Sequence, residues 1–557
     1  MRTISGRNCI FSAITGIMAA FCCVAGYQLD TFDTLDFLDK RLYLVWGAAA
    51  VLAGIAVYLL WQGLDRLAAR TGKTVCRSVE YQQDNMSEAV GKGSRRGKWV
   101  LCTGLLFLCW LPALFSLFPG AFSYDALDEW TQVQQWSLTS HHPVAHVLLL
   151  GGLVEGFFHL TGSYNVGIAV YSVLQMLILA GVFASTINFM EEFGIPRFWR
   201  VVSLLFYAFS PVSQLFSICA TKDVLFTGAE LVFFLYTVRL AVNRELPADR
   251  KKMFYFGLSA FCTMIFRNNG VYIVLFTLVV LIFVCRKTCR KYPKNWILFL
   301  LVILVPYLLY TGPVYGALDV APGGVEEMLS VPLQQMARVY RYDRDSLEGE
   351  ELELLYRYVD REALEKYRAT VADFVKKGFH REAFEQDKAG FFRLWAKWGI
   401  SHPLTYLNSF LVNTVDAWYP GAVIDGYRHA DGRGSYFDYK VDFPGTETVY
   451  LKTLHDHYES LSHDVQVQKK PLAFLLLSPG WYFLCTLILF FYSWSRRKYR
   501  LLLPFSVFIF HFLTVLLGPM ILVRYMLLFF FAFPVVCAMA VFPNTANCCG
   551  ANRMDMI

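Results

Sequence analysis

Runs of about 20 apolar residues recur along this chain, and a run of that length crosses a bilayer as a helix. They fall at roughly 9–27, 42–62, 99–119, 166–187, 199–218, 224–241, 253–268, 271–285, 295–314, 473–494, 501–517 and 521–542. No water-soluble fold accommodates twelve such segments, so the sequence predicts an all-α polytopic membrane protein, a bundle of about 12 transmembrane helices. Composition agrees: 56% of the 557 residues are hydrophobic and 17% charged, against roughly a quarter charged in soluble domains. The formal charge of +7 is not a nucleic-acid signature. Its Lys and Arg fall mostly in short loops, where they record the direction of insertion. The opening "MRTISGRN" and the apolar run behind it imitate a signal peptide. No small-residue cleavage site follows, so a retained helix is expected. Most of the fourteen cysteines (Cys22, Cys23, Cys102, Cys109, Cys262, Cys485 and Cys537 among them) lie inside apolar runs, without metal-type Cys-x-x-Cys spacing. They read as small core hydrophobes.

A thirteenth run, "PVAHVLLLGGLVEGFFHLTG" (143–162), is ambiguous, and loop charge arbitrates. Arg2 and Arg7 place the N-terminus inside, and Asp30, Asp33, Asp36 and Asp39 place the next loop outside. The segment 63–98, rich in Lys and Arg, belongs inside again. If 143–162 crossed fully, "RKTCRKYPK" (286–294) and "SRRKYR" (495–500) would face outside, against their charge. The run also carries His146, Glu155 and His159, which suit a helix in the outer interface. Twelve crossings result, in a multi-pass protein of the cell membrane with both termini cytoplasmic.

Four sections follow. Residues 1–98 hold two N-terminal helices and a basic loop, and 99–315 form the core. Residues 316–470 form a mostly helical extracytoplasmic insert, and 471–557 hold the C-terminal helices and a short tail. Within the insert, "EEMLSVPLQQMARVYRY", "SLEGEELELLYRYV" and "REAFEQDKAGFFRLWAKWGI" have amphipathic helical periods. The Gly- and Asp-rich "YPGAVIDGYRHADGRGSYFDYKVDFPGTET" reads as irregular loop.

This topology brings Asp125, Asp128 and Glu129, Lys222 with Asp223, Arg267 and Arg524 to the outer ends of helices. Charges near hydrocarbon are costly and usually face a cavity or a partner. Carboxylates from separate loops suit a divalent cation such as Mg²⁺ or Mn²⁺. Cations at the membrane surface suit a lipid-borne phosphate, and a carboxylate beside them suits deprotonation of a hydroxyl. Each feature also has a plainer account. The acidic cluster reads as a solvated, helix-capping loop, Lys222-Asp223 as an N-terminal cap, and Arg524 as a snorkelling side chain. His141 and His142 read as solvation of an interfacial helix. The agreement of all of them on one face favours a site.

The motifs "FPGAFSYD", "HHPVAHVLLLGG", "TKDVLF", "FRNNG", "SVPLQQMARVY" and "VRY" resemble those of the GT-C superfamily of membrane glycosyltransferases. They are most similar to an uncharacterised bacterial branch, distantly like the protein O-mannosyltransferases and lipid A aminoarabinose transferases. The resemblance covers roughly 99–542, and its motifs are short. It implies transfer of a hexosyl or pentosyl unit from a polyprenyl-phosphate-sugar donor to an acceptor hydroxyl on an envelope glycan, lipid or protein, with no nucleic-acid partner. Asp125, Asp128 and Asp223 would be catalytic, with Asp125 preferred over Asp128 and with Asp125 and Asp223 as metal ligands. Lys222, Arg267, Arg524, His141, His142, Glu129 and Tyr124 would bind substrate. The Trp-Trp-Asp motif of oligosaccharyltransferases is missing, so N-glycosylation is not expected. The alternatives are a transporter or flippase of lipid-linked envelope intermediates, and a structural membrane protein whose insert binds partners.

Overall fold

The computed structural model describes residues 2–83, 89–422 and 437–542. It is all-α, and among the described residues the only β features are isolated bridges. Nine of the described helices are long and apolar enough to cross a membrane, which makes the chain a multi-pass membrane protein. The first eleven helices are α1 (Arg2–Phe32), α2 (Lys40–Gln83), α3 (Ala89–Ser116), α4 (Ala126–Gln134), α5 (Val144–Thr161), α6 (Tyr164–Glu192), α7 (Arg197–Phe209), α8 (Pro211–Ser217), α9 (Lys222–Val242), α10 (Arg250–Phe266) and α11 (Gly270–Val284). Helices Pro293–Leu309, Pro403–Trp418, Pro479–Ser495, Phe505–Leu516 and Leu527–Val541 complete the bundle.

Two of the expected continuous runs are broken at proline. The run 199–218 divides into α7 and α8 at Pro211, and 473–494 divides at Pro479. Proline has no N–H to give the preceding turn, so each break falls where the ladder loses a donor.

Charged pairs mark the two ends of the bundle. At one end Lys98 meets Glu191 at 2.6 Å, Arg200 meets Glu191 at 3.1 Å and Arg239 meets Glu192 at 3.1 Å. Lys291–Glu245 (2.7 Å) and Arg496–Asp65 (2.5 Å) lie in the loops and helix ends of the same side. At the opposite end lie Asp125, Lys222, Arg267 and Arg524. Helix α5 both starts and finishes at that second end. His142, just before it, touches Lys222, while Gly162, just after it, turns at φ +73° into α6. The first residue of α6, Tyr164, packs on Trp130 of α4, and its Glu191 reaches Lys98 at the far end. The helix α6 therefore traverses the bundle, and α5 folds back along its first turns: His146 meets Tyr171, and Phe158 stacks on Tyr164.

The segment 329–406 encloses a small core of its own around Leu333, Met336, Leu355, Phe384, Phe391 and Trp398. The helix that follows, Pro403–Trp418, enters the main bundle. Asn408 exchanges hydrogen bonds with the backbone of Leu35 (2.7 and 3.1 Å), and Trp418 stacks on Phe21 at 5.7 Å. The expected irregular loop lies in part outside the described residues (423–436). Its described end forms isolated bridges, Phe122 with Val441 and Phe118 with Thr448. The described cysteines are free thiols.

Candidate functional site

The site is built on the strap from Phe118 to Tyr124, which leaves α3 and is tied on both sides. Ala121 N–H donates to the Ile218 carbonyl (3.0 Å) and Ala220 N–H donates to the Ala121 carbonyl (2.8 Å). On the other side Asp442 N–H donates to Phe122 O (2.8 Å), and Asp438 N–H donates to the Tyr124 hydroxyl (2.8 Å). Gly120 makes the strap possible: its φ is +126°, and a Cβ there would run into the Ser172 hydroxyl.

The strap delivers Asp125 to the start of α4. Residues four apart share a helix face, so Asp125 and Glu129 point together into the bundle while Asp128 is exposed. From α9, Lys222 sends its Nζ between them. It is hydrogen bonded to Asp125, lies 3.5 Å from Glu129 Oε1 and lies 3.1 Å from His142 Nδ1. Its neighbour Asp223, fully buried at the N-terminus of α9, is ion paired with Arg267 and lies 3.5 Å from Arg524. Negative charge at a helix N-terminus is itself favourable. Arg524 completes the ring at 2.9 Å from Asp125 Oδ2. Its guanidinium lies over the rings of Tyr124 (4.4 Å) and Tyr525 (4.9 Å), and Arg267 also lies over Tyr525 at 4.3 Å. Three cations thus face three carboxylates. The Arg524 Nε is buried without a hydrogen-bond partner.

Burial alone would raise the Asp125 carboxyl, yet Arg524 and Lys222 beside it hold it well below the ordinary carboxylate range. Glu129, also buried, is pulled down by His146 and Lys222. Asp128, outside the ring, is pushed up by partial burial and by the charge of Asp125. His142 is lowered to about 4 by burial and by Lys222, so it is neutral and can accept from the ammonium.

A buried relay holds Glu129 from behind. The Gln175 amide N–H groups donate to the carbonyls of Phe216, Ser217 and Cys219 (3.1, 3.1 and 2.7 Å). That leaves its oxygen to accept from the Tyr171 hydroxyl at 2.9 Å. Tyr171 in turn accepts from His146 Nε2 at 2.7 Å, and His146 Nδ1 is bonded to Glu129. From the sequence His146 suits only an interfacial helix, and Tyr171, Gln175 and Tyr525 fall outside the candidate site. His142 and His146 are four residues apart, as are Tyr171 and Gln175, and that spacing was the available signal.

All the residues expected at the site except Asp128 converge here. His141 sits at its rim, exposed, with its ring 4.5 Å from that of His142 and its carbonyl accepting from Asn268 at 3.2 Å. Asp125, Glu129 and His142 have ligand atoms within 4.8 Å of one another, close enough to grip a cation. The Lys222 ammonium reaches all three and fills that seat. The expected pair Asp125 and Asp223 is likewise already neutralised, by Lys222, Arg267 and Arg524. The residues present therefore do not fit a divalent ion as they stand.

Fold and site together define a multi-pass helical membrane protein with a charge-balanced polar centre at one end of its bundle. Within that class, the chain belongs to a family of unknown function, DUF6020, whose model matches residues 134–550. That match takes in Lys222, Asp223, Arg267 and Arg524 and begins after Asp125 and Glu129. No curated protein and no solved structure matches the chain.

Proposed function

We propose that this protein is a glycosyltransferase of GT-C type. It moves a sugar from a polyprenyl-phosphate donor to an acceptor hydroxyl at the extracytoplasmic face during cell-envelope assembly. One observation carries the reading. Asp125 is the single carboxylate of the ring open to an incoming molecule, with 28% of its side chain exposed against 1% for Glu129 and 0% for Asp223, and it is flanked by Lys222 and Arg524. Cations beside a reachable carboxylate suit a phosphate leaving group beside an attacking hydroxyl.

The acceptor O–H gives its proton to Asp125 as its oxygen bonds to the anomeric carbon. The bond from that carbon to the phosphate oxygen breaks, and its electron pair leaves with polyprenyl phosphate, held by Arg524, Arg267 and Lys222. In the resting site Arg524 and Lys222 keep Asp125 a weak base. A phosphate arriving between them takes over as their counter-ion, and Asp125 becomes more basic only when the donor is in place. The Lys222 ammonium supplies the positive charge that a divalent ion would otherwise bring.

The orientation has its own support. The end opposite the site carries Lys98, Arg200, Arg239, Lys291 and Arg496, and basic ends face the cytoplasm. In this arrangement α5 lies along the outer leaflet and twelve segments cross. The second reading, a transporter or flippase of lipid-linked intermediates, draws on the buried Glu230–His511 pair, which lies deeper in the bundle than the site. Purified protein in liposomes, given a labelled polyprenyl-phosphate sugar and envelope extract as acceptor, separates the two. Label moving from lipid to a water-soluble or lipid acceptor supports transfer. Label that changes leaflet with its lipid linkage intact overturns it.

A further inference from the structure

Beneath the site, Glu230 of α9 and His511 of Phe505–Leu516 form an ion pair that the proposed chemistry does not use. Both are buried, and Nδ1 lies 2.9 and 3.0 Å from the two carboxylate oxygens. Glu230 is eight residues beyond Lys222, about 12 Å along the helix. The other ring nitrogen, Nε2, lies 2.7 Å from the backbone carbonyl of Tyr525. A carbonyl only accepts, so Nε2 carries hydrogen; a carboxylate facing Nδ1 then requires a second proton between them. The pair is therefore held as a proton-bearing, net neutral unit, with one directional bond left over for Tyr525. Phe226 stacks on the imidazole and Phe529 meets its edge, so the ring has little freedom to turn.

Tyr525 is the platform of the site: Arg267 and Arg524 both lie on its ring, and its hydroxyl accepts from Arg524 at 3.1 Å. The same helix reaches the second cation from the other side. Thr514 donates to the His511 carbonyl (2.8 Å) and accepts from Asn269 (3.0 Å), two residues after Arg267. An apolar pair of similar volume would hold two helices together at least as well as a buried ion pair. What it would lack is the bond to the Tyr525 carbonyl.

We infer that Glu230 and His511 are positioning residues that fix Tyr525, and through it set Arg524 and Arg267 for an anionic phosphate ligand. The identity of that ligand rests on the function proposed above. The test uses full-length protein in detergent and two readouts: the rate at which phenylglyoxal modifies Arg524, followed by mass spectrometry, and the affinity for undecaprenyl phosphate. The double variant Glu230→Leu with His511→Phe keeps an aromatic ring against Phe226 and leaves no orphaned charge. It should label Arg524 several-fold faster and bind the lipid phosphate about tenfold more weakly, since small misplacements of a clamp cost that much or more. In Glu230→Gln the amide can donate to Nδ1 while Nε2–H keeps the Tyr525 carbonyl, so both readouts should stay within about twofold. In an Arg524→Met background the double variant should weaken binding by clearly less than about tenfold, the remainder passing through Arg267 on the same ring. Unchanged labelling in the double variant, or an equal further loss of affinity in the Arg524→Met background, would overturn the inference. Failure of the unmodified protein to bind undecaprenyl phosphate would count against the proposed function instead, and the labelling rates would still decide the role of the pair.

Discussion

Replacing Asp125 with Asn keeps the shape of the side chain and removes its charge, which isolates the role proposed for it. The loss of a positioned general base lowers rate by about 10²–10⁴-fold, equivalent to roughly 3–5 kcal/mol of barrier. The structure limits what the same change does to stability. Lys222 keeps Glu129 at 3.5 Å and His142 at 3.1 Å, and Arg524 keeps Asp223 at 3.5 Å and the Tyr525 hydroxyl at 3.1 Å. Asp125 gives up its charged bonds to Lys222 and Arg524, but with 28% of its side chain already in contact with solvent and both cations keeping other partners the net loss is about 1–3 kcal/mol. Sugar transfer should therefore fall by two to four orders of magnitude while Tm in detergent moves by a few degrees. Asp223→Asn is the contrast. It is fully buried, and its loss orphans Arg267, so stability should drop by about 3–5 kcal/mol. The assay is transfer from a radiolabelled polyprenyl-phosphate sugar in membranes, normalised to inserted protein. An Asp125→Asn variant that retains more than about a tenth of the transfer refutes the assignment of Asp125 as base.

Four further outcomes follow from the same geometry. Activity should persist within about twofold after exhaustive treatment with a chelator, because the Lys222 ammonium fills the seat between Asp125, Glu129 and His142; abolition restored by Mn²⁺ would reverse that reading. Asp128→Ala should leave transfer essentially intact, since that carboxylate is exposed and outside the ring; a loss matching Asp125→Asn would move the base to Asp128. Gly120→Ala should cost about 1–3 kcal/mol or more, because φ +126° is strained for any side chain and the Ser172 hydroxyl blocks its Cβ; undiminished thermal stability would contradict the strap geometry. His142 has a folded pKa near 4, below its free value of 6.5, so it contributes stability above pH 6.5 that is lost as pH falls toward 4. Tm should decline across that window, and the His142→Gln variant should flatten the decline.

Most of the expected spans were legible because bilayer crossing is a composition rule; of the rest, 253–268 and 271–285 form shorter helices, and 199–218 and 473–494 are interrupted at Pro211 and Pro479, where a backbone donor is missing. Loop charge argued for leaving α5 out of the crossings, whereas by length and composition Val144–Thr161 is one of the nine helices able to cross; both its ends pack at the site end. The helix Pro403–Trp418 escaped notice because Asn408, Asn413 and Asp416 interrupt its apolar pattern. Those groups are acceptable inside the bundle because they have partners: Asn408 on the Leu35 backbone, for example, and Asn413 on the Gly518 carbonyl at 3.3 Å. A partner 373 residues away leaves no local trace. At the site, charged residues at helix ends were enough to find Asp125, Lys222, Asp223, Arg267 and Arg524. The choice of Asp125 over Asp128 rested on motif likeness, whereas the structure separates them by helix face. The relay through His146, Tyr171 and Gln175 was hidden for a different reason. Its direction is fixed by three backbone carbonyls at 216–219, and backbone acceptors have no letter in a sequence.

The balance of charge at the site constrains what can enter it. Three carboxylates and three cations in close contact leave little net field, so long-range attraction of a phosphate would be weak. Recognition must come from exchange of partners at short range. Arg524 is the place where exchange costs least. Its Nη atoms divide their bonds between Asp125, Asp223 and Tyr525, its Nε has no partner, and one of its carboxylates, Asp125, is already partly solvated. A phosphate that takes Nε and one Nη gains a bidentate contact and releases Asp125 in the same movement. Asp223, with no exposed surface and a second guanidinium on it, stays behind as the fixed counter-charge. On the proposed function, two carboxylates on one arginine, one releasable and one not, would make the binding of an anion and the freeing of a base a single event.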